Sequence, residues 1–104
     1  MDSVSYEVSN EVLTIKLFGH IDSLNAPQVE EEIKSIRKDR EELPVVIDAE
    51  KLEYISSAGL RVILRLLQET PKVKLINVAP EVYEILEMTG FTEMMEIEKR
   101  SARK

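Results

Sequence analysis

A short apolar run, Val45-Val46-Ile47-Asp48, leads through Ala49-Glu50-Lys51-Leu52-Glu53-Tyr54-Ile55 to Ser56-Ser57-Ala58-Gly59-Leu60-Arg61 at the head of a long apolar segment. No other stretch of the chain constrains the fold as tightly. The β-branched residues at 45–47 favour a strand, and the apolar spacing from Leu60 onward favours a helix. The chain therefore passes from strand through loop to helix. A helix start carries unpaired N–H groups and partial positive charge, which suits it to hold a phosphate. A hydroxyl there, followed by the two minimal side chains Ala58 and Gly59, is an exposed and approachable phosphate acceptor. Serine is also a favoured N-cap, so the Ser56-Ser57 pair has a purely structural use as well.

The alternation of strand and helix continues on both sides of this segment. Residues 5–8 and 11–18 read as strands around a tight turn at Ser9-Asn10, with Leu13, Ile15 and Leu17 alternating against Thr14 and Lys16, and Gly19 ending the second strand. A loop from His20 to Leu24 follows. Asn25 and Gln28 then have the spacing of a capping box, with Pro27 in the first helical turn. The helix runs to about Lys38, with Val29, Ile33 and Ile36 on one face and Glu30 and Lys34 spaced for an ion pair on the other. Residues 44–48 are expected to form a central strand buried on both sides, 57–68 a second helix and 73–78 another strand. Pro80 opens a third helix, with Val82, Ile85, Leu86 and Thr89 in one stripe and Gly90 as its stop. Residues 91–98 close in an edge-like strand, and the basic end, 99–104, is expected to fray. The order β-β-α-β-α-β-α-β predicts one α/β domain over residues 1–104. Its mixed sheet is antiparallel in the opening hairpin, parallel elsewhere, and covered by helices. Sites in such sheets collect beyond the C-terminal strand ends, where Ser56 and Ser57 lie.

Placing successive residues of the second helix about 100° apart puts Leu60, Ile63, Leu64 and Leu67 on a core-facing stripe. Arg61, Arg65 and Gln68 fall opposite, and Val62 and Leu66 flank the arginines. The outward face descending from Ser57 then carries Ala58, Arg61, Val62 and Arg65, a small basic and apolar surface suited to a partner. The alternative is plain packing, with Val62 and Leu66 under a neighbouring helix and the arginines merely solvated.

Composition removes several function classes. With 104 residues, 43% of them hydrophobic and 33% charged, the chain is a globular domain with a single core. It has no cysteine, so disulfides and thiol chemistry are excluded, in keeping with a reducing, cytoplasmic setting. The start, Met1-Asp2-Ser3, has no basic or apolar leader, and no apolar run nears the ~20 residues of a spanning helix. A net charge of −6 disfavours nucleic acid. The one histidine, His20, reads as a loop residue. Clustered metal ligands, a nucleophile elbow and a phosphate-binding glycine loop are all lacking, so neither an enzyme nor a cofactor or metal site is expected.

These residues resemble those of the STAS domain, more narrowly of the bacterial anti-sigma factor antagonist family. The resemblance rests on the opening hairpin, Gly19-His20-Ile21-Asp22, the Val45–Asp48 strand, Tyr54-Ile55-Ser56-Ser57-Ala58-Gly59-Leu60-Arg61-Val62, Asn77-Val78 and Thr89-Gly90-Phe91. It implies a protein that binds an anti-sigma factor, usually also a serine kinase, and so frees a sigma factor. Phosphorylation of one serine stops the binding and a PP2C-like serine phosphatase restores it. Counting back from Gly59-Leu60, Ser57 takes the phospho-acceptor position and Ser56 stands where the family usually has Asp, with Ser56 as the runner-up acceptor. Ala58 replaces a hydroxyl residue. Asp22 matches an acidic position that in the family lies near the same surface. The resemblance also admits another use, as a binding module in a stress-signalling complex or a nucleotide sensor.

Overall fold

The computed structural model describes residues 3–70 and 72–100. Strands β1 (Val4–Ser9) and β2 (Val12–Ile21) form an antiparallel hairpin. Helix α1 (Ala26–Arg37), strand β3 (Val45–Ile55), helix α2 (Ser57–Glu69), strand β4 (Val73–Val78), helix α3 (Pro80–Met88), a 3₁₀ turn (Phe91–Glu93) and strand β5 (Glu96–Lys99) follow. The strands lie side by side in chain order, β1-β2-β3-β4-β5, and all pairs after the hairpin are parallel. The expected order of elements and the mixed sheet are both present.

Chain-order pairing has a consequence for the layers. Three successive right-handed crossovers that advance in one direction put all their helices on one face of the sheet. Burial follows that rule: Leu13, Val45 and Val73, and likewise Ile15, Ile47 and Leu75, are register neighbours on one buried face. Their neighbours Thr14, Val46 and Lys74, and Lys16, Asp48 and Ile76, face the other way and are only half-buried. The middle strand is therefore covered on one side, not on both as expected. Lys74 spans the open face to Glu98 at 2.8 Å and Glu96 at 3.6 Å, and Asn77 donates to Asp48 at 3.0 Å.

Both strands that lead to the serine segment run further than expected. β2 does not stop at Gly19 but continues through His20 to Ile21, and β3 continues from Asp48 to Ile55. The register shows why the extension is hard to see in the sequence. Lys16 pairs with Asp48 but Phe18 with Lys51, and Gly19 pairs with Leu52 but His20 with Tyr54. Each step places one extra residue in β3, a bulge. The core-facing residues of β3 thus recur as Ala49, Leu52 and Ile55, every third position, with Glu50, Lys51, Glu53 and Tyr54 exposed between them. Gly19, at φ +69°, sits in the same irregular stretch of β2.

Smaller departures have equally local causes. The hairpin turns at Asn10 and Glu11, both at positive φ, rather than at Ser9-Asn10. Two left-handed residues match the twist of the flanking strands. No capping box forms at α1, because the Asn25 side chain is used elsewhere. Glu30 pairs with Arg65 of α2 rather than with Lys34. Phe91 is buried in the 3₁₀ turn, leaving β5 only four residues long. Lys99 belongs to β5, and the Arg100 amide donates to the Val78 carbonyl at 2.7 Å, so the expected frayed end is held at its first two residues. Residues 101–104 lie outside the described residues.

Candidate functional site

The site forms where β2 and β3 end together. Ile21 and Ile55 are register partners, so the segments that follow them emerge side by side at one edge of the helical layer. One runs into α1 and the other into α2. The Ser56 amide donates to the Ile21 carbonyl at 2.8 Å and ties the two mouths together.

The mouth of α1 is a locked turn. Asp22 Oδ1 accepts from the amides of Leu24 at 3.0 Å and Asn25 at 3.2 Å. Asn25 returns the bond, accepting from the Asp22 amide at 2.9 Å, and its Nδ2 donates to the His20 carbonyl at 2.8 Å. These reciprocal bonds consume the groups that a capping box would have used. Asp22 therefore acts within the chain as the organiser of residues 22–25.

The two serines divide the work at the mouth of α2. Ser56 is the N-cap: its backbone is extended, its Oγ accepts from the Gly59 amide at 3.4 Å, and its carbonyl accepts from the Leu60 amide at 2.9 Å. Ser57 is the first helical residue. It is exposed, and its hydroxyl has no hydrogen-bond partner among the described residues. Capping is thus met by one serine and leaves the other hydroxyl free.

Gly59 does not widen access to Ser57, as its small size suggested. It is buried, and a Cβ built on it would lie 2.6 Å from Ile55 Cγ1 and 2.8 Å from Ile21 Cγ2. The glycine lets the first turn of α2 seat directly on the ends of β2 and β3. Its role is to place the mouth, and Ala58 alone borders the surface beside Ser57.

The outward face of α2 is narrower than helical spacing indicated. Val62, placed on that face by the spacing, and Leu66 beside the arginines are each 4% exposed, which is the alternative of plain packing under a neighbouring helix, while Leu64 and Leu67, expected in the core, are half-buried. The reason is that α2 has two neighbours, the sheet and α1, so its buried arc turns toward α1 and takes in Val62 and Leu66. Arg65 lies across that contact. Its Nε and Nη2 donate to both carboxylate oxygens of Glu30, the second at 2.8 Å. This fork holds the Glu30 carboxyl below its ordinary pKa, chiefly through the Arg65 hydrogen bond, and the burial of Glu30 opposes the shift only in part. Arg65 is accordingly a strut between helices. Arg61, one turn after Ser57, is exposed and makes no side-chain hydrogen bond or ion pair among the described residues.

Two depressions flank the exposed ridge of α2. A groove toward α1 is lined by Ser23, Ala26, Pro27, Ala58, Arg61 and Val62, with Glu30 and Arg65 at its far end. An apolar hollow on the other side is lined by Leu60, Leu64 and Phe91, with Ser57 and Arg61 at its rim. Of the residues expected to meet a partner, Ser57, Ala58 and Arg61 border these depressions, while Asp22 and Ser56 lie half-buried at the adjoining helix mouths with their side chains used in the turn and the cap. Val62 contributes only to the groove floor, and Arg65 is occupied. Sequence reasoning passed over Leu24, which is 90% exposed in the locked turn, and Tyr54, exposed at the end of β3 beside His20. A lone leucine in a polar loop was the available signal for the first.

Comparison with known proteins agrees with this architecture. The family model described as the STAS domain matches residues 3–103. The provisionally named anti-sigma factor antagonist BtrV of Bordetella bronchiseptica is 38% identical over 85 residues, covering 78% of this chain and 72% of that protein. An anti-sigma factor antagonist from Mycobacterium paratuberculosis superposes with a TM-score of 0.82 at 22% identity, covering 91% of this chain and 83% of the other. The Bacillus cell fate determinant SpoIIAA, solved in its phosphorylated form, superposes with a TM-score of 0.67 at 21% identity, covering 90% of this chain and 89% of the other. The fold, the length of the family match and the level of identity lead to one conclusion: the chain belongs to the STAS domain family.

Proposed function

We infer that this chain is an anti-sigma factor antagonist. Its unmodified α2 mouth binds an anti-sigma factor that is also a serine kinase, in the cytoplasm, and the binding releases a sigma factor. Phosphate on Ser57 ends that binding, and a PP2C-like serine phosphatase restores it. The chain is in this reading a protein-binding regulator rather than a catalyst. The names of its relatives support the class of partner, and one of the similar folds is known in a phosphorylated form.

The observation that carries the choice of residue is the division of labour between the serines. Ser56 Oγ faces the Gly59 amide as a cap, whereas the Ser57 hydroxyl is exposed at the first helical position. A phosphate on Ser57 would add about −1.5 to −2 charge at a helix mouth whose dipole tolerates it, so the fold need not change. An interface closing over that charge would be opposed. A hundredfold loss of affinity takes only about 2.8 kcal/mol, well within the cost of burying an unpaired phosphate against a partner. The block is local.

The test is to recover partners from cells with wild-type protein and with Ser57→Asp, then incubate any recovered kinase with ATP and map the label by mass spectrometry. Wild type should capture an ATP-binding anti-sigma factor that Ser57→Asp does not, and the label should fall on Ser57. Equal capture by both proteins, or a label on Ser56 instead, would overturn the reading.

A further inference from the structure

Arg61 stands apart among the cations of α2. Arg65 is committed to Glu30 through both ends of its fork, while Arg61, on the same side of the helix, pairs with nothing among the described residues. Arg61 is also four residues after Ser57, and both border the hollow floored by Leu60, Leu64 and Phe91. Residues four apart are neighbours on a helix surface, and an acidic group preceding a basic one is the favoured order. Helical side chains lean toward the N-terminus, so a long side chain covers the turn before its own Cα. For Arg61 that turn is the one holding Ser57.

We propose that phosphate on Ser57 is received within the chain by Arg61. The guanidinium folds back one turn and donates to the phosphate oxygens, a charge-assisted pair of the kind arginine makes best. Modification then does two things to the α2 ridge at once. It adds a dianionic group, and it withdraws the one unpaired arginine of the ridge from any partner. The groups around this pair are the Glu30–Arg65 ion pair across the groove and the Asp22 carboxylate, whose Oδ1 is already bonded to two amides. Neither offers the phosphate an unpaired cation. The proposal rests on Ser57 as the modified residue, but it concerns what the phosphate touches, not which enzyme places it.

The test uses protein with phosphoserine genetically encoded at position 57, so the outcome is independent of kinase choice. Phosphorus NMR then measures the second pKa of the phosphate, ordinarily about 6. In the otherwise wild-type chain it should lie about half a unit lower than in Arg61→Gln, the size expected of an exposed charge pair. In the charge-neutral double variant Glu30→Gln, Arg65→Gln it should match the wild-type chain. An unchanged value in Arg61→Gln overturns the assignment. So does a rise confined to the double variant, which would make Arg65 the receiving group. Failure of the native kinase to label Ser57 would instead count against the functional reading alone.

Discussion

Gly59→Ala tests whether the seating of α2 on the strand ends sets the position of Ser57. The added methyl would lie 2.6 Å from Ile55 Cγ1, 2.8 Å from Ile21 Cγ2 and 3.1 Å from Ile55 Cδ1. The two closest atoms, a Cγ1 methylene and a Cγ2 methyl, are both attached directly to the Cβ of β-branched residues, which have few rotamers to yield with. Both isoleucines are fully buried, so relief must come from the helix moving outward. Overpacking of this kind costs about 1–3 kcal/mol, and replacing glycine by alanine in a helix returns up to about 1 kcal/mol. With two contacts under 3 Å the overpacking lies in the upper half of that range, so the net expectation is about 1–2 kcal/mol of lost stability. In a domain of this size that lowers Tm by roughly 5–15 °C, at about 4–8 °C per kcal/mol. Urea unfolding followed by circular dichroism measures the loss directly. A Gly59→Ala protein as stable as wild type would show that the mouth of α2 slides without cost and that the glycine does not fix it.

Two further outcomes bear on the same end of the molecule. Ser56→Ala should cost about 0.5–1 kcal/mol, the low end for an N-cap because its bond is long, and labelling at Ser57 should persist; a folded variant that loses the label would make Ser56 the acceptor. The Glu30 carboxyl titrates below its ordinary value in the folded chain, so its contribution is complete above the ordinary carboxylate range and fades as pH falls through the lowered folded value. Wild type should therefore exceed Glu30→Gln by about 0.5–1 kcal/mol at pH 7, discounted because Arg65 is half exposed, with the gap narrowing as pH falls through the lowered folded value. A gap independent of pH would remove the ion pair as its source.

What could be read from the sequence was whatever repeats at one period. The regular stretches of β2, β4 and all three helices follow simple alternation or helical spacing, and Pro80 and Gly90 bracket α3 plainly. The last part of β3 was hidden because its two bulges convert a two-residue period into a three-residue one, which no alternation template matches. The outward arc of α2 was misplaced for a different reason. Helical spacing locates an apolar stripe but not its neighbours, and Val62 and Leu66 are buried only because α1 lies beside α2. Ser56 and Ser57 were found together, yet spacing alone could not assign the cap. That assignment depends on which hydroxyl meets the Gly59 amide, a fact of three dimensions.

The chain-order sheet also bears on the proposed control by a single hydroxyl. In open α/β sheets a ligand crevice opens where the crossovers diverge to opposite faces. Here strands follow one another without reversal, so crossovers never diverge and no such crevice is made. What the fold offers instead is a pair of adjacent helix mouths, pinned by the Ser56–Ile21 bond, the Asp22–Asn25 turn and the buried Gly59. A surface pinned in this way loses little entropy on docking, which favours binding when its chemistry is complementary. In the proposed reading a charge at Ser57 acts where it is placed, and what compensates it among the described residues is the α2 dipole together with Arg61, one turn along the same helix.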